Sequence, residues 1–155
     1  MTDQSKLLER REFLMKSGLL ALATGPAVAS AAAHSESHEH GSSGQYAALI
    51  AEALHCIDTG NACGAHCISD MRSGSTELLE CLVRVQELVA ACEALVKFAA
   101  YGSEHVAIYA AATIEVCDTC EAQCRKFEDK HAECKACAEA CVACRKECEK
   151  VLSTA

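Results

Sequence analysis

The sequence predicts an all-α protein, an up-down-up-down four-helix bundle with a cysteine-lined core, and three observations predict it. The composition forms helices: Ala, Leu, Glu and Lys are frequent, Trp is absent, Pro occurs once, and aromatics are only 4 % of 155 residues. From Tyr46 onward, apolar residues and cysteines recur in steps of three and four, the spacing of a helix face packed in a bundle. Nearly all of the 13 cysteines fall on those inward seams.

The first helical seam runs through Tyr46, Leu49, Ala53, Cys56, Gly60, Cys63 and Cys67. It ends at Ser73-Gly74-Ser75-Thr76, a turn that offers an N-cap to the next helix, with Glu77 and Glu80 in its first turn. The second seam is Cys81, Val85, Leu88, Cys92, Leu95 and Ala99, closed by Gly102 as a C′ glycine and Ser103 as the following N-cap. The third is Val106, Ala110, Thr113, Cys117, Cys120 and Cys124; the fourth is Cys134, Cys137, Cys141, Cys144 and Cys148.

The boundary between helices three and four is the weakest, because Phe127 to Ala132 holds neither Gly nor Pro. A continuous helix over 104–152 would be roughly 70 Å long at about 1.5 Å per residue. It would leave a thiol stripe with no helix in the monomer to cover it, which favours a tight turn. Short loops then make an antiparallel bundle. In that topology all the cysteines gather toward one end, and Leu49, Leu54, Leu95, Phe98, Val106 and Ile108 form a dry core at the other. Leu78, Leu79, Leu82, Val89 and Ile114 lie off the seams and are candidates for faces between subunits.

The N-terminal part reads differently. Residues 9 to 16, Glu-Arg-Arg-Glu-Phe-Leu-Met-Lys, resemble a twin-arginine (Tat) export signal, followed by a mildly apolar stretch from Gly18 to Val28 and small-x-small cleavage sites around Ala27 to Ala33. That stretch is too short, and too rich in Ala and Gly, to span a bilayer. The expected organisation is a signal peptide at 1–33, a flexible His- and Ser-rich linker at 34–45 and a four-helix domain at 46–155. Within the linker, His34, His38 and His40 could catch a divalent metal weakly.

The formal charge of the whole chain is −8. Removing the leader takes away Lys6, Arg10, Arg11 and Lys16 but also Asp3, Glu9 and Glu12, leaving ten bases against nineteen acids. Such a surface repels phosphate backbones, so nucleic-acid binding is not expected.

Sulfur on the inward seams carries the chemistry. A single buried cysteine is ordinarily a small hydrophobe, but five in succession on helix four occupy places where Leu or Ile would pack better. Disulfides within a helix do not fit, since neighbours three or four apart have Cβ atoms about 5–6 Å apart and a disulfide needs roughly 3.5–4.5 Å. Zinc and iron–sulfur centres usually take four thiolates each, and no Cys-Pro or cysteine loop accompanies the spacing Cys117-x-x-Cys120-x-x-x-Cys124 or Cys134-x-x-Cys137-x-x-x-Cys141. Cu(I) is soft, prefers thiolate and accepts two or three sulfurs. If each sulfur bridges two ions, the ratio approaches one metal per cysteine, on the order of ten or more Cu(I) per chain. The candidate metal ligands are Cys56, Cys63, Cys67, Cys81, Cys92, Cys117, Cys120, Cys124, Cys134, Cys137, Cys141, Cys144 and Cys148.

With the arginine pair, the four seams and these CxxC and CxxxC pairs in place, residues 10 to 152 resemble the bacterial copper storage proteins, specifically their exported, twin-arginine-secreted branch. The resemblance implies a periplasmic homotetramer that fills with thiolate-bound Cu(I). It also implies later supply to copper enzymes such as particulate methane monooxygenase, directly or through copper chaperones. In that branch a His and several Met add sites at the bundle mouth; the matching residues are His66 and Met71, while Met1 and Met15 lie in the leader. His131 precedes Cys134 by three residues and belongs to the same end.

Two other functions use the same thiols. One is a metallothionein-like detoxification or redox buffer. The other is an enzyme, against which stand the absence of an exposed helix-start CxxC, of a buried carboxylate pair and of any cofactor motif. Storage without catalysis is the expected role.

Overall fold

The computed structural model describes residues 44–154, so the leader and His34, His38 and His40 lie outside the described residues. Four helices account for the described chain: α1 (Ala47–Arg72), α2 (Leu79–Ala100), α3 (Val106–Cys124) and α4 (Ala132–Thr154). Among the described residues there is no strand, and no helix is long and apolar enough to cross a membrane. Each helix packs on two others in a closed square, α1 on α2, α2 on α3, α3 on α4 and α4 back on α1. Short connections make every neighbour antiparallel.

The expected seams are the buried faces. On α1 they are Leu49, Ala53, Cys56, Gly60, Cys63, Gly64 and Cys67. On α2 they are Cys81, Val85, Leu88, Val89, Cys92, Leu95 and Ala99. The α3 face is Val106, Ala110, Thr113, Cys117, Cys120, Gln123 and Cys124. The α4 face adds Ala138 and Ala140 to its five cysteines.

The two loops that follow α1 and α3 close one end of the square, which we call the mouth; Lys130 of one reaches Glu77 of the other at 3.8 Å. After α1 the chain reverses through Gly74, whose φ of 97° suits a residue without a Cβ. After α3 a real turn interrupts the helical run although no Gly or Pro is present. Lys130 and His131 both donate their N–H to the Phe127 carbonyl at 3.0 Å, and Phe127 packs against the core. Arg125 holds this turn to α3 through Glu121 at 3.3 Å and braces it with Glu128 at 2.6 Å. At the far end, Gly102 (φ 59°) and a Ser103 N–H donated to the Phe98 carbonyl at 3.0 Å end α2 in a Schellman-type turn.

Several expectations are corrected. Ser75 and Ser103 are not N-caps: α2 and α3 start later, after Leu78 and His105, which make no side-chain cap bond. The two serines instead accept the N–H of Glu77 and of His105, each at 3.2 Å and two residues on, which shapes the loops themselves. Leu54 and Ile108 are not core residues; they are 50 % and 68 % exposed. The helical twist explains this, for Leu54 is one step past the buried Ala53 and Ile108 two steps past Val106. Leu78 is fully buried, three residues before Cys81 on the same seam, and Val89 is buried as well, so neither is free for a neighbouring subunit. Leu82 and Ile114 pack against the core, and only Leu79 of that group is exposed.

The dry end is built from Leu49, Leu95, Ala99, Val106 and Ala110, lidded by Phe98 stacked on Tyr109 with ring centroids 3.9 Å apart. Gly60 and Gly64 set how close α1 and α2 come. A Cβ on Gly60 would stand 2.9 Å from Val89 Cγ2, whereas one on Gly64 would meet only the flexible end of Gln86 at 3.3 Å. Overpacking costs about 1–3 kcal/mol, and replacing a mid-helix glycine by alanine returns about 1 kcal/mol. We therefore expect Gly60→Ala to lower the thermal midpoint of the reduced, metal-free chain and Gly64→Ala to raise it, as followed by circular dichroism. Equal shifts in the two variants would show that the α1–α2 contact is not set at Gly60.

Candidate metal centre

All 13 cysteines are free thiols with no solvent exposure. The helices position them by register: each antiparallel pair brings late turns of one helix beside early turns of the next, so the thiols form one continuous column. Starting at the mouth, Cys63 approaches Cys81 at 3.9 Å and Cys134 at 3.8 Å, and Cys81 approaches Cys124 at 3.6 Å and Cys134 at 3.9 Å. Deeper in, Cys120 lies 3.9 Å from Cys137. Four triads have sulfurs mutually within 4.8 Å: Cys63, Cys67 and Cys81; Cys63, Cys124 and Cys137; Cys120, Cys137 and Cys141; Cys56, Cys117 and Cys144. Cys63 and Cys137 each belong to two triads, as ligands that bridge metals must. Cys92 and Cys148 complete the column at its deep end, influencing the acidity of Cys56 and Cys144 respectively.

The thiols differ in acidity because they hydrogen-bond to one another inside a dry core. Burial pushes Cys67 up to about 12. Cys124 and Cys141 are also raised, chiefly through hydrogen bonds to Cys120 and Cys117 respectively. Other thiols move the other way. Cys117 is held down to about 5, first by the hydrogen bond with Cys141, and Cys134 and Cys137 are lowered by hydrogen bonds with Cys124 and Cys120. The column is thus a mixture of proton donors and thiolate-like acceptors, and a soft cation can take the place of the shared protons.

At the mouth, His66 Nε2 and His131 Nδ1 are 2.8 Å apart, and His66 Nδ1 lies 3.7 Å from Glu133. Both imidazoles are partly exposed and stand above the first thiols. His131 was legible only as the residue one turn before Cys134; its pairing with His66 depends on how the turn after α3 folds back. Met71 is half-buried on the last turn of α1, one turn beyond Cys67. Beside the α4 seam, Arg145 ties α4 to Asp118 and Glu121 of α3, the latter at 2.9 Å. That link registers the Cys141–Cys148 stretch against Cys117.

Comparison with known proteins yields one family and a set of folds. The family model described as copper storage protein matches residues 42–153. None of the curated proteins matches. Among solved structures, a Cu(I)-bound copper storage protein, BsCsp3, is 26 % identical with a TM-score of 0.62, covering 68 % of this chain and 95 % of that one. A cytosolic copper storage protein from Streptomyces lividans, captured with five coppers, is 24 % identical with a TM-score of 0.66, covering 72 % and 95 %. The copper storage protein Ccsp from Streptomyces lividans, loaded with 10 copper equivalents, is 22 % identical with a TM-score of 0.63, covering 84 % and 93 %. At those identities the last two bear on the fold alone.

The acidities predict a pH dependence. Thiols raised above the ordinary range keep their protons at neutral pH, so loading a soft cation such as Cu(I) must expel them. Apparent affinity should fall as the pH falls, and fall further below about pH 5, where Cys117 is protonated too. A weakly buffered titration with an indicator dye measures this directly. Metal uptake without proton release would contradict the thiol assignments.

Proposed function

The chain belongs to the copper storage protein family, and from that premise we propose that it is a copper store that takes up many Cu(I) ions through its core thiolates and performs no catalysis. The observation that supports this most is the column of 13 buried thiols, whose triads run from Cys67 at the mouth to Cys56, Cys117 and Cys144, with Cys92 and Cys148 against the last of them. A site for one or two metals would need four to eight ligands and would leave the remaining thiols without a purpose. Here every one is buried where a metal can bridge it to a neighbour. The ligand set is the 13 cysteines, with His66 and Met71 adding sites at the mouth, where both sit beside the outermost thiol.

The organisation around the store follows from the sequence. On this reading residues 1–33 act as a Tat signal peptide, 34–45 as a His- and Ser-rich linker and 46–155 as the storage domain, and the protein works in the periplasm as a member of the exported branch. Four copies assemble as a homotetramer. The cargo passes to copper enzymes such as particulate methane monooxygenase, directly or by way of copper chaperones. Use as a store also accounts for the absence of any buried carboxylate pair or exposed reactive thiol among the described residues.

The test is an anaerobic Cu(I) titration of the reduced chain, read by ultraviolet thiolate-to-copper charge transfer and checked by metal analysis. Saturation near one copper per cysteine is expected, with the helical signal retained and the thermal midpoint raised, because metal bound only by the folded state stabilises it. Saturation at one to three metals would sink the storage reading.

A further inference from the structure

Four thiols near the mouth close a ring of sulfurs across all four helices. Cys63 is on α1, Cys81 on α2, Cys124 on α3 and Cys134 on α4. Their sulfurs are 3.6 to 3.9 Å apart along the four edges Cys63–Cys81, Cys81–Cys124, Cys81–Cys134 and Cys63–Cys134. The edge from Cys63 to Cys124 is within 4.8 Å. A tetrahedral zinc-type ion with metal–sulfur bonds of about 2.3 Å holds its sulfurs about 3.8 Å apart. Deeper in, Cys120, Cys137 and Cys141 come from α3 and α4 only, while Cys56, Cys92, Cys117 and Cys144 again come one from each helix. The sulfur–sulfur approaches of 3.6 to 3.9 Å that link all four helices are those of the mouth set.

We propose that Cys63, Cys81, Cys124 and Cys134 form a tetrathiolate site for one divalent ion of the zinc class, which pins the four helices together at the mouth until Cu(I) displaces it. The sequence argues against zinc from spacing within single helices, and that argument does not reach this site, because no two of its ligands share a helix. Binding a divalent ion releases the thiol protons and leaves the four thiolates as ligands.

Charge explains why the ion gives way. One divalent ion on four buried thiolates leaves two negative charges in a dry core, which is unfavourable. Four Cu(I) on the same four thiolates are neutral, and Cu(I) is the softer partner for sulfur. Displacement therefore exchanges one divalent ion for several monovalent ones, with the sulfurs remaining thiolates and no electron transferred. The inference uses thiols that the storage reading also assigns to Cu(I), but it concerns a different metal and stands or falls separately.

Co²⁺ is the probe, since its visible bands report tetrahedral thiolate coordination. Added under argon to the reduced full chain, it should give intense bands with a clear break at one equivalent and raise the thermal midpoint. Cys81→Ser and Cys134→Ser should each lose that one-equivalent complex, whereas Cys148→Ser, deep in the column, should keep it. Circular dichroism identifies any variant that has not folded, and Cys124→Ser then takes its place. Added Cu(I) should bleach the bands and release one Co²⁺ per chain. Bands that are absent, that grow past one equivalent without a break, or that survive both ring substitutions would overturn the proposal. Normal Co²⁺ binding with Cu(I) saturation at only a few equivalents would instead overturn storage and leave this site standing.

Discussion

A continuous column of buried thiols constrains everything else in this bundle, because sulfur must be close to sulfur along its whole length. S–S separations of 3.6 to 3.9 Å leave no room for the branched side chains that normally interlock four helices. Cysteine is small, so a core of thiols supplies less buried apolar area per residue than one of Leu or Ile. The stabilisation lost there has to come from the rest of the molecule, or from the metal that the thiols hold.

The division of labour along the bundle follows from that deficit. Leu49, Leu95 and Val106 sit beyond the deep end of the column, with the Phe98–Tyr109 stack outside them. Gly60 lets α1 settle against Val85 and Val89 of α2, so the helices close on each other where the core side chains are small. Small residues do the same work on α4, where Ala138 and Ala140 are fully covered. Arg145, reaching across to Asp118 and Glu121, fixes the sliding of α4 on α3, to which a seam of nearly identical cysteines is otherwise indifferent.

The two ends of the molecule are therefore unlike. One is apolar and lidded by aromatic rings. The other opens between two loops, with partly exposed imidazoles of His66 and His131 above the outermost thiols. The outermost thiol at that end is Cys67, and beside it begin the four thiols that come from four different helices. Entry and mechanical closure of the bundle are thus coupled at the same place.

The sequence by itself determined the fold class and the members of the column. Period-3.6 placement of cysteines and small apolar residues can be satisfied only by helices that bury those faces together, and every residue of the predicted cysteine seams is buried except Tyr46, which is half-buried at the start of the first. Thiol spacing within a helix was equally legible, being set by helical geometry alone. What only the tertiary structure decided was contact between helices. The pairing of His66 with His131, the burial of Leu78 and Val89, the outward turn of Leu54 and Ile108 and the meeting of Cys63, Cys81, Cys124 and Cys134 all depend on the rotation and offset of one helix against another. Those two quantities are set by side-chain packing at Gly60, Phe127 and Arg145, between residues far apart in the chain, and a periodic pattern within one helix contains no information about them.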